Sequence, residues 1–188
     1  MQIEVRGLSK VYKTYNRGSN FAEVVKSIFH RQMSEVHALK QIDFSIEKGE
    51  LVGFLGPNGA GKSTTLKILT GVLFPTAGDV SIMGLCPWKQ RIKYVSQIGA
   101  VFGQKSQLVW DIPPIDSFQM NQAIYRIADT DYRKTLDRLS QMLGVREQMM
   151  QPTRNLSLGE RMKCEFIMAM LHTHRIIFID EPTIGLDV

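Results

Sequence analysis

The sequence predicts an α/β fold, and three observations carry the prediction. An apolar run at 51–55 feeds a glycine loop and then a stretch with helical spacing. Residues from about 105 to 170 carry helical periodicity in three successive segments. A second apolar run, in "HRIIFIDE", then returns the chain to a strand. The order is a sheet-rich half, a helical insert and a return to the sheet.

Along the chain, "IDFSIEKG" alternates Ile42, Phe44 and Ile46 with polar residues, the pattern of a half-buried strand closed by a turn at Gly49. "LVGFL" (51–55) is unbroken and apolar, which predicts a strand covered on both faces. "GPNGAGKST" follows, then "TLKILTGVL", whose Leu66, Leu69, Val72 and Leu73 mark one helix face. "FPTAGDVSIMG" predicts a turn and a short strand, and "IGAVFG" (98–103) a further strand ending at Gln104. "SFQMNQAIYRI", "YRKTLDRLSQMLG" and "ERMKCEFIMAMLH" are the helices of the insert, with Leu136, Leu139 and Leu143 on one face of the second. There are no internal repeats and no low-complexity tracts.

One segment stands apart. "NFAEVVKSIFHR" (20–31) sets Phe21, Val24, Val25, Ile28 and Phe29 on one helical face, with Lys26, His30 and Arg31 opposite. Asn20 is a candidate cap, with Glu23 three residues on. A surface helix packed on its own domain and a docking or membrane-facing helix both fit this pattern.

Composition narrows the class. The chain has 188 residues, 44% hydrophobic and 22% charged, which is one globular domain by size. No apolar run approaches the roughly 20 residues of a membrane span. "MQIEVRGLSK" lacks the apolar stretch of a signal peptide, so a cytosolic chain is expected. Cys86 and Cys164 have no metal-ligand spacing and read as reduced packing residues. A net charge of +5 suits a polyanionic ligand, nucleic acid or an anionic membrane face, and does not choose among them.

The motifs do choose. "GPNGAGKST" fits G-x-x-x-x-G-K-[ST] over residues 56–63. Gly56, Gly59 and Gly61 allow backbone amides to turn inward around phosphates with no Cβ in the way. The helix that follows adds its N-terminal amides and the positive end of its dipole. Lys62 is placed to reach the β- and γ-phosphates, and Ser63 to offer a hydroxyl to Mg²⁺. A glycine-rich turn beside a stray lysine would carry the same letters, but not the flanking strand and helix.

"IIFIDE" supplies the second half of a site. Asp180, at a strand end, is a candidate Mg²⁺ holder, and Glu181 a candidate general base for an attacking water. A solvated acidic turn is the bland alternative, and the apolar run before it argues for burial. The third motif is "NLSLGERMKCE" (155–165). Ser157 and Gly159 stand where a helix begins and could present a hydroxyl and amides to a further anion. Two phosphate-binding helix starts in one small domain make sense if they face two nucleotides in a head-to-tail dimer.

Together these motifs resemble the nucleotide-binding domain of the ABC transporter superfamily, over nearly the whole chain and in the family's order. The resemblance implies a P-loop NTPase fold with a RecA-like sheet core, an N-terminal antiparallel β part and an inserted helical subdomain. It assigns 1–104 and 171–188 to the catalytic core and 105–170 to the helical subdomain. It implies ATP and Mg²⁺ as ligands, with Gly56, Pro57, Asn58, Gly59, Ala60, Gly61, Lys62, Ser63 and Thr64 forming the Walker A loop. Ser63, Gln104 and Asp180 would meet the metal, and Lys62, Gln104 and Glu181 would serve catalysis. Ser157 and Gly159 would complete the partner subunit's site, Asp187 would couple the two sites, and Tyr12 would stack on adenine; Tyr15 lies nearby, and a lone aromatic is often core.

The same resemblance implies partners and place. A homodimer or a related ABC subunit would close over two ATP molecules and pull on a separate membrane permease, with no nucleic acid involved. The chain would lie in the cytoplasm, peripheral on the inner face of the membrane. "FGQKSQLVWDIP" with "LSLGERMKCE" resembles the drug- and antibiotic-exporter branch. Soluble ABC ATPases of DNA repair or chromosome structure insert long coiled coils or zinc modules between Walker A and the signature, whereas only short helices lie there in this chain. Translation-associated ABC proteins carry two such domains. A non-catalytic fragment remains an alternative.

Two departures from the family pattern stand out. The signature reads "LSLGE" where LSGGQ is usual: Leu158 replaces a glycine, and Glu160 sets a negative charge that suits the helix dipole but could repel a phosphate, so a tuned rather than a dead site is expected. In the family a strand ending in a histidine follows the D-loop ("GLD", 185–187) and inserts between the strands of "LVGFL" and "IIFID", which without it would have no neighbour between them. His30, His37, His172 and His174 all precede Glu181. The expectation is a truncated subunit, poorly folded alone and nearly inactive as an ATPase.

Overall fold

The computed structural model describes residues 1–15, 33–103 and 106–180. It divides into two compact units, Met1–Arg91 and Ile92–Val188.

The first unit is built on a three-stranded antiparallel sheet. β1 (Ile3–Tyr15) lies between β2 (Met33–Ile46) and β3 (Ala77–Ile82). Ile3 pairs with Ile46 on one side and Ile82 on the other, and Val5 with Phe44 and Val80. Alternation puts Ile3, Val5, Val80 and Ile82 on the buried face, each at most 4% exposed. The register slips on both sides of Gly7. Its φ is +56°, and its amide donates to Asp43 Oδ1 at 2.6 Å instead of to a ladder partner. The turn expected at Gly49 is present, with φ +87°.

α1 (Lys62–Leu69) follows the glycine loop and buries Leu66, Ile68 and Leu69. It stops sooner than the sequence expects. Gly71 turns the backbone at φ +72°, and the Val72 and Leu73 amides both fold back to Lys67 O. Val72, expected on the buried face, therefore lies past the helix and is 57% exposed.

The run 51–55 departs further from expectation. It forms no strand, and Leu51 and Leu55 are fully exposed. Apolar letters state that a segment prefers burial, but a strand also needs a ladder partner beside it. Among the described residues no strand pairs with 51–55. Phe54 is half-buried, its ring edge-on to Phe44 at 5.5 Å.

The second unit begins at Ile92, within the short helix α2 (Arg91–Val95), and carries a parallel pair, β4 (Ile98–Phe102) with β5 (Ile176–Asp180). Between these strands lie α3 (Pro114–Tyr125), α4 (Asp129–Leu143) and α5 (Leu158–Met170), where the sequence places its three helices. Their core gathers Leu108, Phe118, Tyr132, Leu136, Leu139, Cys164 and Ile167. Gly144, at φ +63°, ends α4 in a left-handed cap. Both cysteines are free, and Cys164 is fully buried. The segment 20–31 lies outside the described residues.

Candidate nucleotide-binding site

The phosphate loop owes its shape to three glycines and to β2. Gly56, Gly59 and Gly61 all have positive φ, at +155°, +84° and +89°. A Cβ on Gly61 would meet Leu39 Cδ2 at 2.5 Å and the Ala38 carbonyl oxygen at 2.6 Å. Leu39 is buried on β2, so the strand fixes where α1 begins. Gly61 caps that helix without a side chain, and the first i to i−4 bond runs from the Thr65 amide to Gly61 O at 2.8 Å. The amides ahead of Thr65 precede the helix's own hydrogen-bond ladder, which is where helices take up anions.

Lys62 is the first residue of α1, and its ammonium turns back over the loop. It donates to Gly56 O at 2.6 Å and to Pro57 O at 2.9 Å. Pro57, Asn58, Gly59 and Ala60 are exposed, while Ser63 and Thr64 are half-buried. Tyr12 faces Val36 across the β1–β2 ladder and is 38% exposed, with the Lys10 ammonium 5.2 Å from its ring centre. Val36 lies three residues from Leu39, about 10 Å along the strand. Tyr12 and the loop thus share one strand pair as their scaffold.

In the second unit, Asp180 ends β5 opposite Phe102, and its carbonyl accepts the Gly103 amide at 3.0 Å. Gln104, Glu181 and Asp187 lie outside the described residues. Ser157 caps α5. Its hydroxyl oxygen accepts the Glu160 amide at 3.3 Å, and its own amide donates to Glu160 Oε2 at 2.9 Å. The Ser157 amide and hydroxyl, both donating to Oε2, hold the Glu160 carboxyl below its ordinary range, with the nearby Gln148 side chain and Lys163 adding to the effect. Glu160 is thus the helix's own cap partner. The spacing S-L-G-E carries that signal in the sequence, where it reads instead as a charge facing phosphate.

Sequence reasoning missed Glu165. It sits one turn beyond Arg161 on α5, is 3% exposed, and accepts three hydrogen bonds from 106–108. Its position beside Cys164 on the buried stripe was the available signal.

A glycine loop that hands a lysine to a helix start, set against Leu39 of β2, defines a P-loop nucleotide-binding domain. The comparisons sharpen that class. The family model described as "ABC transporter" matches residues 39–184. The chain is 32% identical over 160 residues to the ABC transporter ATP-binding protein NatA of Bacillus subtilis (strain 168), covering 85% of this chain and 65% of that protein. It is 29% identical over 157 residues to the probable multidrug ABC transporter ATP-binding protein YbhF of Escherichia coli (strain K12), covering 84% of this chain and 27% of that one. A dimeric, post-hydrolysis structure of the ATP-binding cassette MJ0796 bound to ADP and Pi superposes with a TM-score of 0.77 at 24% identity. That match covers 98% of this chain and 76% of the cassette. The chain belongs to the ABC transporter family, with the fold of its ATP-binding cassettes. It spans about two thirds of NatA and about a quarter of YbhF.

Proposed function

We propose that this chain is the ATP-binding and ATP-hydrolysing subunit of an ABC transporter, driving a separate membrane permease. The observation that carries the reading is the loop at 56–64. Its three glycines all have positive φ, and Gly61 admits no side chain against β2. Such a loop recognises a polyphosphate through backbone donors, and Lys62 adds a charge-assisted donor. Tyr12, on the same strand pair, is the platform for adenine.

The oxygen donors of Ser63, Asp180 and Gln104 suit a hard cation and would hold Mg²⁺, which would neutralise developing charge on the phosphates. Among the described residues no cluster of three His, Cys, Asp or Glu side chains competes for a metal. Glu181 is the base that polarises the attacking water. Ser157 and Gly159, at the start of α5, complete the site of a second subunit in a head-to-tail dimer. The dimeric state of MJ0796 supports a dimer in general terms. Residues 105–170 form the helical subdomain that carries the signature.

Export is the favoured direction, supported by the multidrug name of YbhF. The permease would hold the chain to the cytoplasmic face of the membrane. Among the described residues no helix is long and apolar enough to cross a membrane.

A labelled-ATP titration of the wild type and Lys62→Ala tests the nucleotide reading. The wild type should bind, and the variant should lose about 10²-fold or more in affinity, as a charge-assisted phosphate contact in a closed site disappears. Equal affinities would overturn it. A six-helix membrane protein encoded beside this chain would support the permease.

A further inference from the structure

Lys10 and Tyr12 stand two residues apart on β1 and so share one face of the strand. The Lys10 ammonium lies over the Tyr12 ring, 5.2 Å from its centre. The same ammonium donates to Phe74 O at 2.8 Å. A lysine stem is long and mobile, and an exposed cation over a ring gains little by itself. The carbonyl changes that, because it holds the charge at one point above the ring. A lysine that served only solubility would extend into water, whereas Lys10 is half-buried.

Phe74 belongs to the turn that follows α1, and this turn is stitched to β1 on both sides of Lys10. The Thr76 amide donates to Ser9 O at 2.8 Å, and Thr76 Oγ1 accepts the Val11 amide at 3.0 Å. At its other end the Leu73 amide returns to Lys67 O in the last turn of α1. The carbonyl that anchors the ammonium is therefore joined through α1 to the phosphate loop. Lys10 also pairs across the ladder with Leu39, the residue that leaves no room for a side chain at Gly61.

We infer that Lys10 is a positioning residue for the nucleotide base. It covers one face of the Tyr12 ring, holds the ring in place and leaves the opposite face to a flat base. The inference rests on the proposed function, in which Tyr12 carries adenine. Lys10 acts through the ring and not on the phosphates. A ring already fixed spares the incoming base the cost of ordering it.

The test is calorimetric titration of the full chain with ATP and, separately, with inorganic tripolyphosphate. The readout is the ratio of the two affinities, which isolates what the base contributes. The wild type is compared with Lys10→Met, Lys10→Gln, Lys10→Arg and Tyr12→Leu. Lys10→Met keeps the stem and removes the cation, and the ratio should fall roughly 3- to 10-fold, the usual cost of ordering one side chain. Lys10→Gln should fall likewise, and it decides the matter if Lys10→Met does not fold. Lys10→Arg keeps a cation over the ring and should stay within about 2-fold of the wild type. Tripolyphosphate affinity should stay within about 2-fold throughout, because the phosphate loop is intact. An unchanged ratio in the two neutral Lys10 variants overturns the inference. Equal losses for ATP and tripolyphosphate also overturn it, because Lys10 then acts on phosphate charge. An unchanged ratio in Tyr12→Leu overturns the placement of the base on Tyr12, and with it the role of Lys10. A wild type that binds neither ligand overturns the proposed function instead.

Discussion

The Ser157 hydroxyl lies 2.8 Å from Glu160 Oε2, and the two residues close a reciprocal cap on the signature helix. The arrangement changes the reading of both. The hydroxyl expected to face a partner's phosphate is already engaged, and the charge expected to repel that phosphate accepts two hydrogen bonds, from the Ser157 amide and hydroxyl. Nucleotide engagement by Ser157 therefore competes with the cap.

Replacing Ser157 with Ala removes the acceptor for the Glu160 amide. The melting temperature should fall by about 2–4 °C, the usual effect of a lost N-cap in a chain of this size. Glu160→Gln should be nearly neutral at pH 7, because glutamine closes the same box. Thermal melts of the two variants check the order. A Glu160→Gln loss as large as that of Ser157→Ala would show that charge, not the reciprocal bonding, holds the helix start.

Acidification should separate the two carboxylates of α5. Glu160 has a folded pKa below its ordinary 4.5, with the Ser157 amide and hydroxyl the leading causes. Its contribution is present above 4.5 and is lost as pH falls through the depressed value. Glu165 runs the other way, its pKa raised above 4.5 chiefly by burial. Its most favourable state lies below 4.5 and is lost as pH rises through the raised value. Melting temperatures measured from pH 7 down to 3 should show the wild type gaining on Glu165→Gln as pH drops toward 4.5. They should show it losing to Glu160→Gln at lower pH. Parallel curves would contradict both assignments.

Local pattern made much of this fold legible. Alternation at Ile42, Phe44 and Ile46 and the helical stripe of Leu136 and Leu139 need only neighbouring residues to specify them, and the structure follows both. The glycine loop was equally readable, because positive φ is written in the identity of Gly59 and Gly61. The run 51–55 was read as a covered strand from its letters alone, and only the family resemblance signalled that its ladder partner would be missing. Glu165 was hidden for a related reason. Its donor Ser106 is 59 residues away, and a glutamate on a helix ordinarily marks a solvated face. The cap at Ser157 was legible but outweighed, because the same letters also suit a phosphate site.

Glu181→Gln keeps the shape and hydrogen bonding of the side chain and removes the proposed base. In the intact transporter, ATP should still bind while turnover falls by about 10²-fold or more. ATP-bound dimers should then accumulate on size exclusion. Near-normal turnover in this variant would mean that another group activates the water.

Gly61→Ala should fold poorly and lose ATP binding, and a second change at Leu39 should not repair it. The glycine sits at φ +89°, which costs an L-residue about 1–3 kcal/mol by itself. The new methyl would also stand 2.5 Å from Leu39 Cδ2 and 2.6 Å from the Ala38 carbonyl oxygen. Trimming the leucine to Leu39→Ala removes the first clash only. The carbonyl belongs to the β2 backbone and cannot move without disturbing the ladder to β1, and the strained φ persists. Leu39→Ala alone deletes a buried side chain at a typical cost of about 2–5 kcal/mol. The double variant should therefore melt no higher than Gly61→Ala and bind labelled ATP no better. Recovery of binding in the double variant would show that Leu39, and not the backbone of β2, sets the glycine requirement at the mouth of the loop.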